Sequence, residues 1–268
     1  MPSEIEVDDT HAYWVDGYGN PSLGRVAKAG GALEELVLDT MAVDLALDDT
    51  HVYFTATGMD ASVRRLPKSG GPPEVLAQDV GSPFGIALDG TWVYWTDASG
   101  GNAYRVAKTG GTPELLTSGL DDPWRIAIDD STVFVAEVLT IASFPKDGGA
   151  RTLVASPGKA GSYGPSEILV DDSWVYFGMS GFTPSGLTRM AKDGTGQESL
   201  YDKAVMDAAM DATHVYLGVW NAIGRADRGT GQTEIIAPQQ PNVAGIAVDA
   251  THAYWTDVAD GAVRRIAK

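Results

Sequence analysis

The chain is predicted to be all-β: a seven-bladed β-propeller with four-stranded blades, a three-stranded last blade and no strand-exchange (velcro) closure. Three observations predict it. An apolar triplet, an aspartate, a short polar turn and an aromatic strand follow one another in seven copies. Their aspartates, Asp8, Asp48, Asp89, Asp129, Asp171, Asp211 and Asp249, lie 40, 41, 40, 42, 40 and 38 residues apart, and a period near 40 in strand-like units marks a propeller. The third observation is that the last copy reaches Lys268 without the segment that follows Lys28 or Lys108 in earlier copies. One domain then spans residues 1–268, with blades beginning near residues 5, 45, 86, 126, 168, 208 and 246.

The third copy shows the elements in order. Phe84 to Asp89 is strand A, Trp92 to Thr96 is B, Ala103 to Lys108 is C and Glu114 to Leu116 is D. Aromatic and β-branched runs separated by Gly, Pro and Asp favour strands, and no useful length carries a helical period. In a propeller strand A lines the axis and D lies at the rim. The Tyr-Trp and Tyr-Phe pairs of strand B supply large flat side chains for the interfaces between blades. In the seventh copy strand C, Ala262 to Ala267, has no D strand after it, and only Met1 to Glu4 precede the first A strand. Blade 7 is therefore expected to pack on blade 1 through side chains alone. Its uncovered edge makes a homodimer through blade 7 one expectation.

Repetition assigns structural roles. The aspartate after strand A recurs in every copy, next to Thr, Ser or Gly, and such side chains bond to nearby backbone amides and hold turns. Arg25, Arg65, Arg105, Arg189, Arg225 and Arg265 share one strand-C position. Lys28, Lys68, Lys108, Lys146, Lys192, Arg228 and Lys268 share another. These cations are expected to pair between blades with carboxylates. His11, His51, His214 and His252 all start strand B, where Trp92, Thr132 and Trp174 stand in the other copies, and a catalytic base does not usually come in equivalent copies.

The net charge of −17 argues against nucleic acid and anionic membranes as partners, since both attract basic surfaces. No run of 18 apolar residues is present, so no membrane insertion is expected. The chain has no cysteine, which excludes thiol catalysis, disulfides and thiolate metal sites. No leader is visible in Met1-Pro2-Ser3-Glu4, and an extracellular or periplasmic place is the favoured expectation.

Tyr94-Trp95-Thr96-Asp97 and Tyr254-Trp255-Thr256-Asp257, with Tyr13-Trp14-Val15-Asp16 as a near copy, carry a resemblance. The chain resembles the YWTD and NHL group of propellers over essentially its whole length. The resemblance implies four-stranded blades with strand A innermost. It also implies a family that is mostly six-bladed and mostly binds proteins or other ligands. Seven copies depart from that pattern.

Candidate function lies where the repeat breaks. The residue before each strand-A core should rim the channel on the top face, and round the ring it reads Glu4, Asp44, Gly85, Arg125, Glu167, Asp207 and Gly245. Carboxylates gathered near one axis repel unless a cation, an arginine or protons intervene. Glu4, Asp44, Glu167 and Asp207 are thus candidate metal ligands, whose oxygens would suit calcium or another divalent cation. The bland reading pairs them with Arg125 and water. Trp124, Arg125, Glu137 and Trp220 are the candidate ligand-binding residues of that face. Glu137 stands where the motif aspartate belongs. The insertion from Ser156 to Pro165, with Lys159 and Tyr163, and the loop from Met179 to Ser185, with Phe182, add to it.

The favoured reading is a non-catalytic scaffold binding a small ligand or a protein on its top face. The alternative is an enzyme, either like virginiamycin B lyase or a divalent-metal-dependent hydrolase of the gluconolactonase type, whose propellers hold a divalent ion at the channel top with Glu, Asn and Asp. No asparagine occupies the matching ring positions here. Resemblance to virginiamycin B lyase likewise stops at the fold, because the histidines belong to the face opposite the one such a lyase uses.

Overall fold

The computed structural model describes residues 4–16, 23–157, 164–179 and 185–268. Lys159, Tyr163 and Phe182 lie outside them. The described residues form seven antiparallel sheets, six of four strands and one of three, in consecutive A-B-C-D order. Their single helical turn is a 3₁₀ turn at Gly58–Asp60. Blade 3 runs Pro83–Leu88, Trp92–Asp97, Asn102–Ala107 and Glu114–Ser118. Blade 7 has Val243–Val248, His252–Asp257 and Ala262–Ala267, with no D strand among the described residues. Among these residues no helix is long and apolar enough to cross a membrane.

The core lies between blades. Tyr53, Val63 and Leu76 of blade 2 pack with Ile86, Val93 and Trp95 of blade 3, and a like cluster fills each other interface. The cluster joining blade 7 to blade 1, Ile5, Ala12, Trp14, Ala247 and Tyr254, lacks a D strand's contribution. Among the described residues no sheet crosses that seam, and they meet across it through side chains, as the sequence implied.

The repeated aspartate is the centre of each blade. Asp8 Oδ1 accepts the backbone N–H groups of Thr10 and His11 at 2.8 Å, and its Oδ2 accepts the Tyr13 hydroxyl at 3.0 Å. The same carboxylate is 3.1 Å from Lys68 Nζ of the next blade. Round the ring the pairs continue as Lys108–Asp48, Lys146–Asp89, Lys192–Asp129, Arg228–Asp171 and Lys268–Asp211. Lys28 closes the circle on Asp249 at 2.5 Å, with its ammonium 5.1 Å from the Tyr254 ring centre. The strand-C arginines add a second tie: Arg65 and Arg105 donate to the main-chain carbonyls of Lys108 and Lys146 in the following blades, and Arg265 donates to that of Lys28. Each histidine meets its neighbouring threonine hydroxyl through Nδ1, at 2.7–2.8 Å, on this same bottom face.

Partial burial alone would raise the carboxyls of Asp8, Asp48, Asp89, Asp211 and Asp249. The backbone N–H bonds and the lysine partners more than offset it and hold all five well below the usual carboxylate range. A carboxyl depressed in the fold stabilises it above its unfolded value, near 4, and that contribution is lost as pH falls toward the folded value. Thermal stability is therefore expected to fall steeply below about pH 4. Lys28→Met, which opens the belt at the seam, is expected to cost about 2 kcal/mol in denaturant unfolding. Asp147→Ala, which removes a carboxylate 92% exposed, should cost less than about 0.5 kcal/mol.

Candidate functional site at the channel mouth

The ring expected from the sequence exists. Strand A of all seven blades surrounds an axial cavity of 440 Å³, and Glu4, Asp44, Arg125, Glu167 and Asp207 close round its mouth. The side chain of Arg125 is 19% exposed, and those of Glu4, Asp44 and Glu167 are 15–17% exposed, so the opening is narrow. The Arg125 guanidinium pairs with Glu4 from blade 1, lies 3.3 Å from Glu167 Oε2 and 3.8 Å from Asp44 Oδ2, and donates through Nε to the Ser166 carbonyl at 3.1 Å.

The two glycine positions are not vacancies in this pattern. Asp44 Oδ2 accepts the Ile86 N–H at 3.0 Å, and Asp207 Oδ2 accepts the Ile246 N–H at 2.7 Å. Each aspartate thus reaches across to the backbone of the blade that carries glycine at the ring position. The glycines' own N–H groups go to the motif threonines, Thr96 at 3.0 Å and Thr256 at 2.8 Å. At Gly85 a Cβ would stand 2.7 Å from the Trp124 carbonyl oxygen, so glycine lets the chain of blade 4 approach. That approach sets Trp124, 42% exposed, edge-on against Phe84 with ring centres 4.5 Å apart. Neither the aspartate reach nor the Phe84–Trp124 pair was read from the sequence. The order Asp then Gly in successive ring positions was the available signal for the first.

Trp220 is 76% exposed at the turn after strand B of blade 6, and no ring contact among the described residues joins it to Trp124. Glu137 requires a correction. Instead of facing the surface it is 1% exposed, and its carboxylate takes the Asp121 N–H, the Thr140 hydroxyl and a two-nitrogen contact from Arg151. Asp97 does the matching work in blade 3, accepting N–H groups of Ser82 and Gly100 at 2.9 and 3.0 Å. The longer glutamate side chain fills the same post beneath a shorter B-to-C turn, with Arg151 neutralising it.

Burial pushes the Asp44 carboxyl up to about 7, with Arg125 opposing and Glu4 adding to the rise. Burial raises Glu167 to about 7 as well, again against the pull of Arg125. Asp207 is pushed well up by burial and by repulsion from Glu4 and Glu167. Deeper in the channel Glu6, accessible to water yet enclosed by the inner strands, rises to about 7 through desolvation and the charge of Asp207. The mouth therefore holds protons around neutrality that isolated carboxylates would have shed.

Glu4, Glu167 and Asp207 each place one oxygen within 4.8 Å of the others, a spacing a divalent cation could bridge. Arg125 already stands in contact with Glu4 and Glu167. A metal ion would meet that guanidinium charge against charge, so this donor set fits calcium or magnesium only with Arg125 displaced.

No protein-family description matches the chain, and no curated protein matches it in sequence. Solved structures do. A streptogramin B lyase structure is similar at 18% identity with a TM-score of 0.77, over 95% of this chain and 89% of that one. A chain of a nidogen/laminin complex is similar at 18% identity and TM-score 0.66, over 92% and 96%. A computationally designed protein is similar at 16% identity and TM-score 0.70, over 100% and 84%. At these identities the likeness is one of fold, and a fold shared by a lyase and by a member of a protein complex does not select a function.

Carboxyls raised in the folded state favour folding at low pH, and the advantage is lost as pH rises from the unfolded value, near 4, through about 7. Arg125→Met is expected to destabilise by about 3 kcal/mol at pH 8 and by much less at pH 5, because it strands buried carboxylates. Glu167→Gln should raise the melting temperature at pH 8 relative to pH 5. Melting curves between pH 4 and 9 check both signs.

Proposed function

We propose that the chain is a non-catalytic scaffold that binds a ligand at its channel mouth, and that the recognised group is a cation on a small molecule or a protein side chain. The observation that carries this reading is the ring of four carboxylates round one arginine, beside the half-exposed ring of Trp124. Carboxylates that hold protons near neutrality can release them to solvent when an ammonium or guanidinium group binds and favours their charged form. A tryptophan face adds cation–π attraction where the site is partly dry. Trp220, on a separate blade, suits a ligand broad enough to cross the face.

Two observations support binding over turnover. The histidines that could act as bases stand on the opposite face, each engaged with its own turn. Arg125 contacts Glu4 and Glu167, two of the three donors a metal would need together. A ligand cation needs only one of the four carboxylates and meets a ring whose acids outnumber its arginine. The likeness to a nidogen/laminin complex chain is compatible with a protein ligand, and the likeness to a lyase keeps the catalytic alternative in the test.

The test is calorimetric titration with agmatine and with a peptide bearing an N-terminal arginine amide. Binding is expected with proton release to buffer, weakening about tenfold from pH 8 to pH 5.5 and again on Trp124→Ala. The bottom-face variant His51→Ala should bind normally. Binding indifferent to pH and to Trp124→Ala would discard the channel mouth as the site. One equivalent of bound divalent metal, with lactone or ester hydrolysis lost on Glu167→Gln and Asp207→Asn, would replace this reading with the hydrolase.

A further inference from the structure

The axial cavity has a second charged level below its mouth. Glu6 follows Glu4 by two residues in blade 1, so the two side chains leave the extended chain on the same side, and both line the cavity. Ile5 between them turns the other way, into the core at the seam. In the other six blades the position of Glu6 is held by Ala46, Ala87, Ala127, Leu169, Ala209 and Ala247. The blade pattern therefore asks for a small or aliphatic side chain here, and blade 1 alone supplies a carboxylate. Below the ring of Glu4, Asp44, Arg125, Glu167 and Asp207, every other side chain lining the cavity is apolar.

Glu6 also differs from the acids above and below it in what it meets. Glu4, Asp44 and Glu167 stand against Arg125, and Asp8 is 3.1 Å from Lys68 Nζ. Glu6 has the Val7 N–H beside it, but no lysine or arginine among the described residues forms an ion pair with it. Its side chain is accessible from within the cavity. A carboxylate set among apolar walls without a cation is a place where an arriving cation gains most, since burial disfavours its charge. One ion cannot serve both levels. The oxygens of Glu4, Glu167 and Asp207 lie within 4.8 Å of one another, and Glu6 does not belong to that group.

We propose that the channel takes a linear diamine lengthwise, with one ammonium at the mouth carboxylates and the other at Glu6. This rests on the mouth as a cation site and names the class of ligand it takes. Two residues of extended chain separate the levels by about 6.6 Å, which a chain of roughly four or five carbons between the nitrogens spans. The methylenes lie against the alanines and Leu169 of the wall, and the narrow opening suits an unbranched chain. At the mouth the outer ammonium meets Asp207, the ring acid that makes no ion pair with Arg125 among the described residues. A metal ion or a monoamine satisfies one level only. Agmatine, with a cation at each end, belongs to the proposed class, so the second charge needs a probe of its own.

The experiment is calorimetric titration of the 268-residue chain at pH 8 with butane-1,4-diamine and, separately, with butylamine. Both amines are expected to bind, the diamine roughly tenfold more tightly. Glu6→Gln should abolish that preference and leave butylamine binding unchanged, which also shows that the variant is folded. Trp124→Ala should weaken the two amines alike, because it acts at the mouth. Equal affinity for the two amines, or a diamine preference that survives Glu6→Gln, overturns this inference. Butylamine binding that remains sensitive to Trp124→Ala would then leave the reading of the mouth intact. Absence of binding by either amine overturns both.

Discussion

Everything in this propeller depends on one carboxylate per blade. A single aspartate closes the turn between the two inner strands, anchors the tyrosine hydroxyl of the interblade core, and receives a lysine or arginine from the following blade. Turn, core and ring closure are therefore one constraint. A ring has no natural end, and a chain must close it somewhere without the help of sequence continuity. Here the seam between blades 7 and 1 uses the same Lys–Asp contact as every other interface, so closure is a seventh instance of a general joint.

Charge is divided between the faces by the same architecture. On the bottom, each strand-A aspartate has a cation from the neighbouring blade, and the negative charge is neutralised locally. At the channel mouth four carboxylates share one arginine, and desolvation keeps part of that charge in protonated form. An acidic protein can thus have one inert face and one whose charge responds to what approaches it. Buried, mutually repelling acids are costly, and sites of ligand recognition are where such costs are commonly retained.

Most of the fold was legible in the sequence because its information is periodic. The aspartates, strand-B aromatics and strand-C cations each recur at one position, and a position repeated round a ring can only contact its copies' neighbours. The ring of Glu4, Asp44, Arg125, Glu167 and Asp207 was legible for the same reason. What stayed hidden was aperiodic or depended on register. Burial of Glu137 follows from Arg151, an arginine on the far side of a turn that no other blade possesses. The reach of Asp44 to Ile86 crosses a blade interface and spans 42 residues, and at the adjoining Gly85 a Cβ would stand 2.7 Å from the Trp124 carbonyl oxygen. The contact of Phe84 with Trp124 follows from that same close approach.

The channel ring has a symmetry of its own within the sevenfold one. Its order is Glu, Asp, Gly in blades 1 to 3, Arg in blade 4, and Glu, Asp, Gly again in blades 5 to 7. The hydrogen bonds duplicate with the letters: Asp44 to Ile86 and Asp207 to Ile246, Thr96 to Gly85 and Thr256 to Gly245. Blade 4 is also the one with Phe134 for tyrosine, Ser143 for arginine and Thr152 for glutamate. Round the mouth the ring residues and their hydrogen bonds thus follow the same three-blade order on either side of blade 4. The lone arginine that makes the mouth chemically unusual is the mark of that unpaired member.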